Sequence, residues 1–457
     1  MPINSFLYPG PTNSNPYVVD NSCRFNDGDS PQMNKTISST STTWTFSCWI
    51  KHNPTGTNQY LASWDMGGGE SLGIGIENTG ASTQLFIYTS STGQAPKLYD
   101  GKLRDPSAWR NIVIKNSSGT ITSYINGTQA NTSITGTALA SGTLRIGCWT
   151  GSNYFFDGYM AEVVLIDGTA YAASSFGEFD EDSPTIWKPK DVSGLTFGSD
   201  GFYLDFKDSA NLGNDQNGGT DLTEANLAAA DQATDTPTNS FATLNSLDNY
   251  YNASTFSEGN LQIATHASNE AYNTGTIGVT SGKWYWEVKI SASQDREFIG
   301  ISDRPAGASD FTAWTGANGS VAYYSNSGDY RKGSAGSNTS YGDSHGVNDI
   351  VGIALDVDNM KLYFSKNGTW QNSGDPTSGA TGTGAISLNT PIVGDGFLYP
   401  AVGEIYTGSS TFQLNFGGCP AFTISSGNAD GNGYGNFEYS VPSGYYSLCT
   451  KNLAEFG

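Results

Sequence analysis

Residues 283–290 read Lys-Trp-Tyr-Trp-Glu-Val-Lys-Ile, with an apolar residue at every second position. A period of two predicts a β-strand with one buried face, because successive side chains of a strand point to opposite sides of the sheet. The aromatic and β-branched residues also suit a pleated, half-buried surface. We expect the two faces to divide as follows: Trp284, Trp286, Val288 and Ile290 inward, and Tyr285, Glu287 and Lys289 outward.

The same alternation recurs in both halves of the chain. Residues 351–357 and 412–416 each place apolar side chains on one face, and so do residues 44–50 near the amino terminus. In that last stretch the shared face carries Trp44, Phe46, Cys48 and Ile50. Residues 120–125 then run into Asn126-Gly127, a dipeptide that strongly favours a tight β-hairpin turn.

Composition supports an all-β fold built from two β-sandwich domains. The 457 residues include 57 glycines and 12% aromatics but only 14% charged residues, which suits many short strands joined by turns. We predict an extended arm at 1–17, a first sandwich at 18–170, an irregular connector at 171–245 and a second sandwich at 246–457. Within the connector, residues 222–232 are predicted to form a short helix, and three apolar residues need burial against a neighbour: Phe202, Leu204 and Phe206.

Charge limits the classes of binding partner, and cysteine content indicates the redox state of the chain. The net charge is −22, from 43 acidic and 21 basic residues, so we expect neither nucleic-acid binding nor insertion into a membrane. Five cysteines without CxxC spacing are expected to be small buried residues, with Cys23, Cys48 and Cys148 reduced. The first residues have neither a basic nor an apolar signal region, so synthesis in a host cytoplasm without export is expected.

The second half resembles the SPRY family. Five blocks in family order carry the resemblance: Gly282-Lys-Trp-Tyr-Trp-Glu-Val-Lys289, Phe298-Ile-Gly-Ile-Ser302, Val351-Gly-Ile-Ala-Leu-Asp-Val-Asp358, Leu362-Tyr-Phe-Ser-Lys-Asn-Gly368 and Tyr399-Pro-Ala-Val402. The resemblance implies a bent β-sandwich whose loops bind protein partners, without catalytic residues.

The first half resembles laminin G-like, concanavalin-type sandwiches. The residues that carry this looser likeness are Phe46-Ser-Cys-Trp-Ile50, Ala108-Trp-Arg-Asn-Ile-Val-Ile114, Tyr124-Ile-Asn-Gly127 and Phe156-Asp-Gly-Tyr-Met-Ala-Glu-Val163. It implies carbohydrate or protein binding, sometimes with calcium. The two domains in this order, with Pro237-Thr-Asn-Ser-Phe-Ala-Thr-Leu244 between them, look like virion proteins of marine and cyanobacterial tailed phages. That resemblance implies a tail fibre or other particle appendage that forms a homo-oligomer, contacts other virion proteins and binds a host-surface glycan or protein.

Two alternatives belong to other functional classes. A polysaccharide-degrading enzyme needs paired carboxylates, and the nearest candidates are Glu178, Asp180 and Asp182. They lie between Gly177 and Ser183-Pro184, which favours a solvated acidic turn, and the three histidines fit no nucleophile or zinc motif, so no catalytic residue is assigned. The other alternative is a bacterial lectin-like adhesin, which needs an export route.

Metal binding is the remaining chemical question. The candidate oxygen ligands for calcium lie in Asn26-Asp-Gly-Asp29 and at Asp205, Asp208, Asn214, Asp215 and Asn217. Neither group has the spacing of an EF-hand loop, and Asx-rich turns form without metal, so we expect no metal and no other cofactor, with calcium as the alternative.

Aromatic residues are the candidates for recognition, because exposed rings stack on sugars and dominate protein contacts. We predict that the binding residues are exposed and include Trp64, Trp314, Tyr323, Tyr324 and Tyr330. In the proline-rich arm, Phe6, Leu7 and Tyr8 form an apolar cluster that we expect to anchor the chain to a neighbouring subunit or another virion protein. Packing of that cluster onto its own sandwich is the alternative.

Overall fold

The computed structural model describes the chain from Tyr17 onward, with short gaps. The described residues are 17–54, 56–67, 69, 71–77, 83–90, 93–94, 103–130, 134–135, 138–150, 153–249, 252–294, 296–303, 320–332, 338–388, 396–405 and 408–457. The described part is nearly all β, which confirms the predicted fold class. No helix within it is long and apolar enough to cross a bilayer.

Strands in the first half of the chain are β1 (Ser22–Phe25), β2 (Gln32–Ile37), β3 (Trp44–His52), β4 (Gln59–Asp65), β5 (Ser71–Glu77), β6 (Gln84–Thr89), β7 (Gly93–Gln94), β8 (Arg110–Ser117), β9 (Thr120–Ile125), β10 (Thr128–Gln129), β11 (Ile134–Thr135), β12 (Gly142–Ile146), β13 (Gly158–Asp167), β14 (Gly177–Phe179), β15 (Trp187–Pro189), β16 (Phe202–Leu204), β17 (Thr223–Ala225) and β18 (Gln232–Ala233).

Strands in the second half are β19 (Thr255–Ser257), β20 (Gln262–Ala264), β21 (Ala271–Thr274), β22 (Lys283–Ala292), β23 (Glu297–Ser302), β24 (Val321–Tyr324), β25 (Asp329–Lys332), β26 (Thr339–Ser340), β27 (Ile350–Asp356), β28 (Lys361–Lys366), β29 (Thr369–Trp370), β30 (Ile386–Ser387), β31 (Tyr399–Glu404), β32 (Thr411–Asn415) and β33 (Tyr446–Ser447). Helical turns of the 3₁₀ type lie at Asp27–Asp29, Ala173–Ser175, Ala229–Asp231, Gln371–Ser373 and Pro376–Thr381, and a short α-helix, α1, spans Thr450–Phe456.

The first sandwich packs two antiparallel sheets face to face. One has the order β10-β9-β8-β3-β13-β1-β18, and the other, which we call the second sheet, has the order β17-β2-β12-β4-β5-β6-β7. Trp44, Phe46, Cys48 and Ile50 all point into the core between them, as their spacing predicted. The turn after β9 is the predicted hairpin, with positive φ at both Asn126 and Gly127.

The segment predicted as an irregular connector is part of the first sandwich. It adds β16 and β18 to the first sheet and β17 to the edge of the second sheet. Phe202, Leu204 and Phe206 are buried in the core, as expected. The predicted helix at 222–232 is wrong: this stretch is strand, 3₁₀ turn and strand, because its backbone pairs with the open edges of β2 and β1.

The second sandwich also packs two sheets, with orders β19-β20-β32-β22-β27-β28-β29 and β21-β31-β23-β24-β25-β26. Trp284, Trp286, Val288 and Ile290 point into its core, as predicted. Tyr285 and Glu287 face away from that core, as predicted, but both are fully buried. The carboxy-terminal segment covers them: Phe437 packs edge-on against Tyr285 at 5.1 Å between ring centroids.

Buried polar contacts join the two sandwiches. Arg24 of β1 forms ion pairs with Asp231 at 3.2 Å and with Glu258 of the second sandwich at 3.1 Å. Lys51 of β3 contacts Asp235 at 2.6 Å and donates to the carbonyl of Phe241 at 2.8 Å. The segment between the two sandwiches therefore lies in a packed junction, and its contacts with both sides are buried.

Candidate functional site

Trp64 lies in the core, so its predicted exposure is wrong. Its side chain is 1% exposed, and its ring centroid is 5.8 Å from that of Trp44 and 6.2 Å from that of Phe46. Large rings in strands usually face inward, where they bury the most apolar area. Trp64 therefore cannot meet a ligand at the surface.

Tyr323 and Tyr324 are also buried, so their predicted exposure is wrong for the same reason. Tyr323 stacks on Phe364 with 4.9 Å between ring centroids, and Tyr324 packs edge-on against Phe298 at 4.3 Å. Tyr330 is half-buried at the neighbouring strand. Trp314 and the proposed anchor residues Phe6, Leu7 and Tyr8 lie outside the described residues, so their roles stay predictions.

A different set of rings forms a surface cluster on the outer face of the second sheet. We call this cluster the aromatic platform, and its members are Tyr60, Phe86, Tyr88, Trp149 and Tyr154. The ring centroids of Tyr60 and Trp149 are 4.6 Å apart, and Tyr88 packs edge-on against Trp149 at 4.9 Å. Tyr154 is 52% exposed and Tyr88 and Trp149 are partly exposed, whereas Tyr60 and Phe86 are buried, so three of the five rings offer surface to solvent.

Two glycines of β5 let the rings lie flat against the sheet. Gly73 pairs with Tyr88 on β6 and Gly75 with Phe86, so both glycines belong to the outward-facing set. A Cβ atom at Gly73 would lie 2.5 Å from the Trp149 ring and 2.6 Å from the Tyr60 ring, closer than any real contact. The missing side chain is therefore required for the packing of the platform.

Local backbone conformation holds the exposed edge of the platform. Trp149 donates its backbone N–H to the carbonyl of Asn153 at 2.9 Å, which closes a tight loop after β12. Tyr154 follows with φ of 52°, a left-handed conformation that costs energy for an aromatic residue. The backbone N–H of Tyr60 then donates to the carbonyl of Tyr154 at 3.2 Å. These two hydrogen bonds fix the positions of Trp149 and Tyr154 relative to Tyr60.

Hydroxyl groups add hydrogen-bonding capacity. Burial, together with the nearby Tyr88 and Tyr154, raises the pKa of Tyr60 well above its usual value. Tyr60 is itself only 6% exposed, so Tyr88 and Tyr154 present more of their side chains to solvent. A surface that combines ring faces with hydroxyl donors can stack on a sugar ring and bond to its substituents.

The sequence carries a signal for this site in the glycine pattern of β5. Residues 71–77 read Ser-Leu-Gly-Ile-Gly-Ile-Glu, with glycine on one face and aliphatic residues on the other. Glycine at alternate strand positions marks close approach by another group. What approaches is decided by register with β4 and β6, which single-sequence patterns do not fix.

Carboxylates of the second sheet are poorly placed for glycoside hydrolysis. Asp65 pairs with Ser71 at one end of β5, and Glu77 lies at the other end of this seven-residue strand. The separation is about 20 Å at roughly 3.4 Å per residue. Glycosidase carboxylates are only about 5–9.5 Å apart.

The acidic stretch Glu178–Asp182 lies on a separate surface hairpin formed by β14 and β15. Asp180 accepts hydrogen bonds from the backbone N–H groups of Asp182 at 3.0 Å and Ser183 at 2.9 Å, which lowers its pKa. Glu178 is exposed and faces Lys188 and Lys190. These contacts are those of a solvated acidic turn, as the sequence indicated.

Several of the groups considered for calcium are engaged in contacts within the chain. The amide nitrogen of Asn26 donates to Asp29 at 2.8 Å and to Glu258 at 2.9 Å, so N–H groups already occupy these carboxylates. Asp215 accepts from two backbone N–H groups, and Lys35 lies 3.7 Å from its other oxygen. Within the described ranges, no group of three or more His, Cys, Asp or Glu residues could hold a metal ion.

Comparison with known proteins finds a family match for one segment in each half of the chain. Residues 26–173, which contain the platform, match the model of the concanavalin A-like lectin/glucanases superfamily, and residues 283–418 match the model of the SPRY domain. The chain joins a concanavalin A-like domain to a SPRY domain. The sequence predicted both resemblances from the residues that carry them.

Solved structures give similarities of lower coverage. The SPRY domain of human HERC1 is 18% identical, with 34% of this chain and 87% of that chain covered and a TM-score of 0.25. Another human SPRY domain is 22% identical, with 34% and 90% covered and a TM-score of 0.25. The native heptameric SAP-like pentraxin from Limulus polyphemus is 14% identical, with 34% and 78% covered and a TM-score of 0.28. A search of curated proteins finds no significant match.

Proposed function

We propose that this protein is a non-enzymatic adhesion protein of a tailed-phage particle that binds a host-surface glycan through the aromatic platform. The platform is the observation that carries the proposal. The C–H groups on one face of a sugar ring are weakly positive, and they pack favourably on the negative faces of aromatic rings. Trp149 and Tyr154 offer such faces at the surface of a lectin-type sandwich.

Binding without hydrolysis is part of the proposal. The wide separation of Asp65 and Glu77 supports the absence of hydrolysis, and so does the protonation state of two histidines. Burial lowers the pKa of His52 to about 3 and that of His345 to about 4, so both are uncharged at neutral pH. Neither is therefore poised to exchange a proton with a substrate.

The platform is tested by a binding assay with two matched variants. Trp149→Ala is expected to weaken binding to a host polysaccharide at least tenfold, because a stacked ring contributes on the order of 1–3 kcal/mol and more when it is central to a site. Phe179→Ala removes an exposed ring from the hairpin β14–β15 and should leave affinity unchanged. Equal affinity of Trp149→Ala and the unaltered protein, at equal melting temperature, would refute the proposed site. Release of new reducing ends during the assay would refute the non-enzymatic reading.

Association with the particle needs its own experiment. Mass spectrometry of purified virions should detect peptides from both domains, and their absence from intact particles would exclude a virion role. Deletion of residues 2–16 should prevent incorporation or oligomer formation without changing the melting temperature, if Phe6, Leu7 and Tyr8 anchor the chain. Loss of stability in the isolated monomer would instead assign the arm to its own sandwich.

A further inference from the structure

A row of outward-facing residues continues from the aromatic platform across the whole second sheet. The strand register aligns one residue from each of six adjacent strands, so that each residue lies directly opposite the next. From β6 to β17 these residues are Tyr88, Gly73, Ser63, Arg145, Asn34 and Thr223. Five strand spacings of about 4.8 Å give a length of roughly 24 Å. This row is much longer than one sugar ring, so it suits an extended chain of sugars.

Arg145 is the one member of this row with a permanent positive charge. Its Nη1 atom is buried and has no hydrogen-bond partner, and Arg145 forms no ion pair within the described residues. The Oδ1 atom of its cross-strand neighbour Asn34 also lacks a partner. A chain with 43 acidic residues could easily have supplied a carboxylate here. Such groups normally have a hydrogen-bond partner, which at this half-buried position is either water or a bound molecule.

The charge of Arg145 lies near the platform. Arg145 lies close enough to Cys148 to act on its thiol: burial raises the pKa of the thiol to about 12, and the positive charge of Arg145 opposes this increase. Cys148 directly precedes Trp149, and its carbonyl accepts a hydrogen bond from Ser63 at 2.8 Å. Asp65, the next outward carboxylate along β4, accepts the backbone N–H of Gly67 at 3.2 Å and forms no ion pair with Arg145. Arg145 as a whole is partly exposed, so its side chain lies at the surface beside the stacked rings although Nη1 is buried.

The far end of the row is polar. Asn34 and Thr223 open into a groove of about 560 Å³. Other polar and charged residues that line it are Lys35, Thr36, Thr143, Ser199, Asp200 and Asp221. Hydroxyl, amide and carboxylate groups of this kind bond to sugar hydroxyls. The row thus combines an aromatic end, a central cation and a polar end.

We propose that this row binds an extended acidic polysaccharide, with the anionic group of one sugar accepted by Arg145 while a neighbouring sugar stacks on Trp149. The inference rests on the proposed function, because the platform forms one end of the row. A planar guanidinium donates two parallel hydrogen bonds to a carboxylate or to a sulfate, so either group supplies the required chemistry. Asn34 flanks Arg145 and can bond to a hydroxyl group of the same sugar, whereas Ser63 on the other side is fully buried and donates to the Cys148 carbonyl.

The test compares acidic polymers with neutral forms of the same chains. The full-length protein is titrated with alginate, polygalacturonate and hyaluronate, and with each polymer after chemical reduction of its carboxylates to alcohols; dextran sulfate tests the alternative anion. We expect at least one acidic polymer to bind at least tenfold more tightly than its reduced form. Arg145→Gln should abolish this ratio without weakening the reduced form, whereas Trp149→Ala should weaken both forms. Lys115→Gln, which removes one positive charge from β8 on the opposite sheet, should behave as the unaltered protein.

Each outcome separates this inference from the proposed function. Retention of the acidic preference by Arg145→Gln, at an unchanged melting temperature, overturns the inference. Equal affinity for acidic and reduced polymers also overturns the inference. If Trp149→Ala weakens that binding, the proposed function stands. If none of the polymers binds, both fail for this set of glycans and the row is not a general acidic-glycan groove. Preference for dextran sulfate over all uronate polymers identifies sulfate as the anion and supports the inference.

Discussion

Replacement of Lys51 by methionine should destabilise the junction between the two sandwiches. The ammonium group lies 2.6 Å from the Asp235 carboxylate, and the two side chains are only 1% and 2% exposed. Lys51 also donates to the carbonyl of Phe241 at 2.8 Å, while Asp235 accepts the indole N–H of Trp109 at 2.9 Å. Methionine retains the length of the side chain but removes the charge and every donor.

The expected loss is large because the substitution leaves a buried carboxylate without a counter-charge. Removal of one partner from a buried ion pair costs about 3–5 kcal/mol, a substantial part of the roughly 5–15 kcal/mol that stabilises a typical protein. The double variant Lys51→Met/Asp235→Asn removes both charges and keeps an acceptor for Trp109. It should therefore recover much of the loss.

Urea unfolding, followed by tryptophan fluorescence, measures these differences. The control is Lys190→Met, since Lys190 lies 3.6 Å from Glu178 and the two side chains are 43% and 48% exposed. Exposed pairs contribute about 1 kcal/mol or less, so the control should unfold nearly as the unaltered protein does. Our account of the junction is wrong if Lys51→Met is no less stable than this control. It is also wrong if the double variant is as unstable as Lys51→Met alone.

Three further substitutions test other parts of the structure. Gly73→Ala should displace the Trp149 ring and reduce glycan affinity at least tenfold, whereas Gly194→Ala, with open space around its Cβ position, should not; equal affinities of the two variants would contradict the platform geometry. Burial raises the pKa of Glu162 from 4.5 to about 7, so its stabilising contribution is complete below pH 4.5 and is lost as the pH rises to about 7. Between pH 5 and pH 8, the free energy of unfolding of Glu162→Gln in urea should therefore rise by up to about 3 kcal/mol relative to that of the unaltered protein. A difference in unfolding free energy that does not change with pH would count against this pKa. Glu287→Gln places an amide N–H group against buried N–H donors, and each donor that loses its acceptor costs about 1–3 kcal/mol of stability. The melting temperature of this variant should therefore fall, and an unchanged melting temperature would show that the carboxylate is dispensable.

Much of the fold could be predicted because its signals are local. The period-two patterns around Trp44 and Trp284 identify strands and the face that points inward, since a hydrophobic side chain must leave water whichever strand pairs with it. The hairpin at Asn126-Gly127 follows from the ease with which these residues adopt positive φ. The helix predicted at 222–232 failed because its weak local preference competed with backbone pairing at two open sheet edges.

The candidate site was less predictable, because exposure of an aromatic side chain depends on packing. Trp64 and Tyr323 are buried by partners far away in sequence, whereas Trp149 and Tyr154 come to the surface beside Tyr60. Nothing local distinguishes an aromatic residue on the inner face of a sheet from one on its outer face until the register of all neighbouring strands is known. A one-residue change of register exchanges the two faces.

By itself the sequence determined the all-β class, the two sandwiches, their family resemblances and the inward faces of their strands. The tertiary structure alone decided what covers the other face. On β22 the carboxy-terminal segment buries Tyr285 and Glu287, whereas on β5 two glycines leave room for the rings of a surface platform. The physical reason is that burial of a strand's first face follows from its own hydrophobicity, but burial of its second face depends on whether a distant segment of the chain packs there.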